Sequence, residues 1–115
     1  MKYNHGELAG AEAILRDLTV SDPDDPRGWT MLGMTAIREK SYGQALEAFR
    51  QATALAPRDP FARVMTGLAL HKLGRDDEAL AQCRGALAIA PKDPNALALI
   101  ATIEREAASR QPSPR

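Results

Sequence analysis

The chain has 115 residues, of which 15 are basic and 15 acidic, so it has room for one small domain and carries no net charge. Only 4% of the residues are aromatic against 44% that are hydrophobic. The core must therefore be mainly aliphatic side chains and alanine, which disfavours a β-sandwich. A neutral chain also disfavours general nucleic-acid binding, since binding to phosphate requires a basic face.

Helix starts are predicted at three places, where an aspartate directly precedes a proline. Aspartate accepts a hydrogen bond from an unpaired amide at the start of a helix, and proline at the first helical position loses no donor that the helix needs. The three pairs recur 34 residues apart and are Asp25–Pro26, Asp59–Pro60 and Asp93–Pro94. Helices are therefore predicted to begin at residues 26, 60 and 94.

Each 34-residue unit is predicted to hold a second helix. Residues 41–44, Ser-Tyr-Gly-Gln, fit a capping box for a helix that follows the one starting at 26. Gly74 after Leu73 predicts the end of the helix that starts at 60. Proline cannot continue a helix, and three prolines are expected just beyond the second helices: Pro23, Pro57 and Pro91.

The repeat register, carried outward, divides the whole chain. Residues 1–25 are predicted to be the second helix of a truncated unit, 26–59 and 60–93 complete units, and 94–109 a capping helix that is the first helix of a further unit. In that last helix Leu97, Ile100 and Ala101 are expected to face inward. Residues 110–115 are predicted to be a disordered tail, so about six helices are expected in all.

This pattern resembles the tetratricopeptide repeat family. The second complete unit is a weaker copy of the signature, because Arg63, Thr66 and Cys83 stand where Trp, Leu and Phe are expected; we expect the Arg63 stem to lie along apolar surface with its head in water. The resemblance implies an all-α fold, a right-handed α-solenoid of antiparallel helix pairs. The residues that carry it are Trp29, Leu32, Gly33, Ala45, Phe49, Ala52 and Pro57 in the first unit, and Gly67, Ala79, Ala86 and Pro91 in the second.

In this family the first helix of each unit lines a concave face that commonly receives a peptide or helix, so the resemblance implies a noncatalytic protein-interaction module. We expect a peptide with apolar anchors and an acidic flank, because the groove is apolar in its middle and basic at Arg38, Lys72 and Arg105. The groove residues predicted from the register are Arg27, Thr30, Met34, Ile37, Arg38, Phe61, Val64, Leu68, His71, Lys72, Asn95, Ala98, Thr102 and Arg105.

Other functions stay open beside this one. The chain could be a self-associating structural segment, a homodimer for instance, in which the helix at 6–22 pairs with another chain, or a regulatory segment fused to an enzyme. Family members that bind chaperone tails use a clamp of lysine, asparagine and arginine, and Thr30, Met34, Phe61 and Met65 stand at the positions that can be aligned. A chaperone-tail adaptor is therefore disfavoured, whereas bacterial secretion chaperones resemble the chain in size and apolar groove.

No catalytic, metal or cofactor site is predicted. Cys83 is the sole cysteine, and His71 has no neighbouring nucleophile and acid at catalytic spacing. The aspartates at 22–25 lack the glycine and closing glutamate of a calcium loop. There is no apolar signal core and no apolar run of about 20 residues, so we expect a cytoplasmic chain with no membrane contact.

Overall fold

The aspartate–proline pairs start three of the five helices. A computed structural model describes residues 22–110, and its helices are α1 (Pro26–Arg38), α2 (Tyr42–Leu55), α3 (Pro60–Lys72), α4 (Asp76–Ile89) and α5 (Pro94–Arg110). Asp25 accepts a hydrogen bond from the backbone N–H of Arg27 at 2.9 Å, and Asp59 one from that of Phe61 at 3.0 Å. Asp93 accepts from the backbone N–H of Ala96 at 2.9 Å. The predicted starts at residues 26, 60 and 94 are confirmed.

The turn inside each helix pair needs one residue with a positive φ. Gly74 supplies it after α3, with φ 80°, and Lys40 supplies it after α1, with φ 61°. At both turns two amides bond back to the end of the helix, for example Ser41 N–H to the carbonyl of Ala36 at 2.8 Å. Ser41 precedes α2 as predicted, but its side chain makes no capping hydrogen bond, so the expected capping box does not form.

Lys40→Gly is expected to stabilise the chain by about 0.5–1 kcal/mol, because a side chain disfavours the left-handed conformation that glycine adopts freely. Gly74→Ala is the matched reverse change and should cost about 1 kcal/mol. A Cβ at Gly74 would meet no atom within 4 Å, so its cost comes from the backbone alone. Urea unfolding followed by circular dichroism measures both, and equal midpoints for both variants and the parent would contradict the assignment.

Each helix packs on the next along the chain, and α3 also contacts α5. The core between them is aliphatic and rich in alanine, as the composition predicts, with Phe49 fully buried at the centre of the first pair. A Cβ added at Gly33 would lie 2.6 Å from the ring of Phe49, so the glycine is what allows α1 and α2 to approach this closely. The predicted all-α fold of helix pairs is confirmed.

Arg63 takes over the contact that a tryptophan makes in the first pair. The Trp29 indole Nε1 donates to the carbonyl of Pro23 at 2.9 Å. Arg63 lies 34 residues later, and its Nε and Nη2 donate to the carbonyl of Pro57 at 3.2 and 3.1 Å. The expectation that the Arg63 head lies in water is therefore wrong: the guanidinium satisfies the carbonyl between α2 and α3.

The inward face of α5 differs from the prediction. Leu97 is 48% exposed and Ala101 is exposed, whereas Leu99 and Ile103 are buried against α3 and α4. The reason is that Leu97 and Ala101 stand where α1 and α3 meet the second helix of their own unit. Within residues 22–110 no such helix follows α5.

The predicted helix at residues 6–22 and the predicted tail at 111–115 lie outside the described residues. The expectation of about six helices thus compares with five helices in residues 22–110. None of these five is long and apolar enough to cross a membrane.

Candidate peptide-binding groove

The predicted groove residues stand on α1, α3 and α5, the first helix of each unit. They recur every three or four residues, so each helix carries them as one stripe. The apolar members are partly accessible: Met34 is 36% exposed, and Ile37, Phe61 and Leu68 are half-buried. Ile37 and Leu68 also pack against the core, which holds their outer atoms in place. We name these four residues the apolar row.

Smaller and polar side chains flank the apolar row. Thr30 on α1 and Thr102 on α5 are half-buried, whereas Asn95 and Ala98 on α5 are exposed. None of them is large, so they leave room on either side of the row for an incoming chain.

The burial of two predicted groove residues corrects the sequence analysis. Val64 is only 4% exposed and belongs to the core, so it lies beneath the groove and offers little surface to a partner. The side chain of His71 is 8% exposed. The register places residues on a stripe, but it does not reveal how deeply neighbouring helices cover each one.

His71 is held between two carboxylates at the end of α3. Its Nδ1 lies 2.7 Å from Asp76 Oδ1 on α4, and its Nε2 lies 3.3 Å from Glu106 Oε1 on α5. Arg110 Nη2 donates to the second oxygen of Asp76 at 3.0 Å. The hydrogen bond with His71, followed by that from Arg110, lowers the pKa of Asp76 below its usual range. This network ties three helices together at one end of the groove.

The sequence analysis did not find Asp76, Glu106 and Arg110. A faint signal exists, because Asp76 and Arg110 carry opposite charges and are 34 residues apart, at matching places in successive units. That signal depends on α5 continuing to residue 110, beyond the predicted end at 109.

The predicted basic edge is accessible. Arg38, Lys72 and Arg105 are all exposed, and none of them forms an ion pair within residues 22–110. Arg27 differs, because it is paired with Asp25 at 2.7 Å, and its side-chain and backbone hydrogen bonds lower the pKa of Asp25 to about 2. Three cations, rather than four, are thus available to an acidic ligand.

The arrangement offers little for catalysis. Carboxylates occupy both nitrogens of His71, which leaves neither nitrogen open to act as a general base on a substrate. Cys83 is fully buried, and its burial raises the pKa of the thiol, which disfavours the reactive thiolate. In the part of the chain that the structure describes, no group of three or more His, Cys, Asp or Glu side chains could hold a metal ion.

A family model described as tetratricopeptide repeat matches the chain over residues 2–60 and again over residues 30–94. Together the two matches span most of the sequence, including both complete units predicted above. No curated protein sequence matches the chain.

Several solved structures are similar to it in fold. The first TPR of Spaghetti (RPAP3) bound to an HSP90 peptide is 22% identical, with a TM-score of 0.81, over 90% of this chain and 82% of that one. PcrH in complex with the chaperone binding region of PopD is 24% identical, with a TM-score of 0.76, over 92% and 83%. The type III secretion translocator chaperone SycD of Yersinia enterocolitica is 17% identical, with a TM-score of 0.78, over 89% and 83%.

Proposed function

The chain belongs to the tetratricopeptide repeat family, and from this we propose that it is a noncatalytic interaction module whose groove binds a peptide or helix of a partner protein. The observation that carries the proposal is the apolar row, Met34, Ile37, Phe61 and Leu68, beside three unpaired cations. Two proteins of similar fold are described as bound to a peptide or to a region of another protein, namely the first TPR of RPAP3 and PcrH.

The apolar row sets the first requirement on the ligand. A leucine or phenylalanine side chain that covers Met34 and Phe61 removes apolar surface from water on both partners, which is worth about 1.5–3 kcal/mol for each fully buried side chain. Met34 is unbranched and flexible, so it adapts to side chains of different shape. The preferred ligand therefore has two or more apolar anchors.

The basic edge sets the second requirement. Arg38, Lys72 and Arg105 stand on three different helices of the groove, so an acidic stretch beside the anchors would meet positive charge along its length. Exposed ion pairs are each worth only about 0.2–1 kcal/mol. The acidic flank thus contributes orientation and a faster encounter more than affinity.

Met34→Asp is expected to weaken binding about tenfold or more, because it places a charge where an apolar anchor is buried. The probe is a fluorescein-labelled synthetic peptide with leucines at helical spacing and a run of glutamates on one side. Fluorescence anisotropy measures the dissociation constant, and circular dichroism checks that the variant remains folded.

Ala54→Asp is the matched control, since Ala54 is exposed on α2, away from the groove. It should bind the peptide as the parent does, and a peptide with lysines in place of the glutamates should bind more weakly to both. Equal binding by Met34→Asp and Ala54→Asp would overturn the groove assignment, whereas equal binding of the two peptides would overturn the acidic flank alone.

A further inference from the structure

Helix α5 has an uncovered face that is separate from the groove. Leu97 is 48% exposed, Ala101 is exposed and Ile100 is half-buried. These three residues are named the end face. The opposite side of α5 is closed, because Leu99 and Ile103 are buried against the preceding helices.

The two earlier counterparts of the end face are each covered by the next helix along the chain. In α1, Leu32 is buried, and Gly33 lies directly against Phe49 of α2. In α3, the Sγ of Cys83 on α4 lies 3.5 Å from where a Gly67 Cβ would stand. The end face is thus the kind of surface that a second helix of a repeat unit covers.

The sequence holds a third stretch of that kind, residues 6–22, which precede α1 and lie outside the described residues. In the 34-residue alignment Ala11, Leu15 and Leu18 match residues of α2 that are fully buried: Ala45, Phe49 and Ala52. This segment precedes α1 in sequence just as α2 precedes α3. Since α1 and α5 are the first and last of a row of helices that pack in order, the end face meets such a segment only from another chain.

The shape of the end face selects among the three candidate helices. At the place of Gly33, a Cβ would lie 2.6 Å from the Phe49 ring, so a helix with phenylalanine at that place requires glycine opposite it. The end face has Ala101 there and carries a Cβ. Residues 6–22 offer Leu15 in place of the phenylalanine, a smaller side chain that leaves room for the alanine.

We propose that the end face of one copy of this chain binds residues 6–22 of a second copy, head to tail. The contact completes a repeat unit from two chains. Each copy carries one end face and one such segment, so a pair of copies retains one of each, and association continues into open oligomers that grow with concentration. The contact does not use the apolar row, so it is independent of peptide binding in the groove.

Sedimentation velocity on the full chain over a wide concentration range tests the proposal. The parent should form dimers and larger species as its concentration rises. Leu97→Asp should weaken association about tenfold or more, because it places a charge on an exposed position that becomes buried only in the contact. Ala98→Asp is the matched control, since Ala98 is exposed on α5 but belongs to the groove stripe, and it should associate as the parent does.

A mixing experiment distinguishes this contact from others. Leu15→Asp removes the segment's anchor, so it and Leu97→Asp should each be monomeric alone, yet an equimolar mixture should form a dimer that grows no further. The dimer would join the intact segment of the Leu97 variant to the intact end face of the Leu15 variant. A parent that remains monomeric, equal association of Leu97→Asp and Ala98→Asp, or a mixture that stays monomeric would each overturn the proposal. Peptide binding by Leu97→Asp, which should equal the parent's, reports separately on the groove.

Discussion

Replacing Phe49 by alanine is expected to destabilise the protein by about 3–5 kcal/mol, the usual cost of removing a buried aromatic side chain. Phe49 is 0% exposed and belongs to the core cluster that extends over both helix pairs. Because a domain of ordinary stability has about 5–15 kcal/mol in total, this one change removes a large part of it. Thermal unfolding followed by circular dichroism should show a cooperative transition whose midpoint falls by more than about 10 °C.

Phe61→Ala is the control for this variant. Phe61 is half-buried on the groove side of α3, so its loss should lower the midpoint much less while weakening the binding of the acidic peptide. A Phe49→Ala midpoint within a degree or two of the parent would contradict the central packing role of this ring.

Gly33→Ala is expected to be the second most damaging change. The added methyl group would lie 2.6 to 2.8 Å from three ring carbons of Phe49, closer than carbon atoms approach in proteins. Such overpacking typically costs about 1–3 kcal/mol, since the ring has to move within a closed core. Gly43→Ala provides the control, because a Cβ there would meet nothing within 4 Å, and it should be neutral or slightly stabilising.

A double-mutant cycle shows whether the clash is the cause. Phe49→Leu shortens the side chain that the new methyl group meets, so Gly33→Ala should cost less in that background than in the parent. Urea unfolding of the four proteins gives the coupling energy, which should be at least about 0.5 kcal/mol for residues in contact. Strictly additive costs would mean that the glycine is required for another reason.

The helix boundaries followed from local chemistry, which is why the sequence predicted them well. An aspartate before a proline starts a helix by its own hydrogen bond, and Gly74 ends one through its own backbone conformation. The 34-residue period then predicted the family and the pairing of helices. These features depend on residues that are neighbours in the chain.

The parts that the sequence predicted poorly depend on contacts between distant residues. Val64 and Leu68 are on the same stripe of α3, yet the first is buried and the second is partly accessible, which depends on the helices beside them. The bond from Arg63 to Pro57 joins two residues whose types suggest no partnership. The face of α5 was misassigned because its register was read without asking which helix would cover it.

The groove's role as a peptide-binding surface is tested most directly by titrating the isotope-labelled protein with the acidic leucine peptide while following its backbone amide resonances. Saturable shifts are expected around Met34, Leu68 and Lys72 and along the groove side of α5, with α2 and α4 little affected. Shifts concentrated on α2 and α4, or none that saturate, would contradict the account.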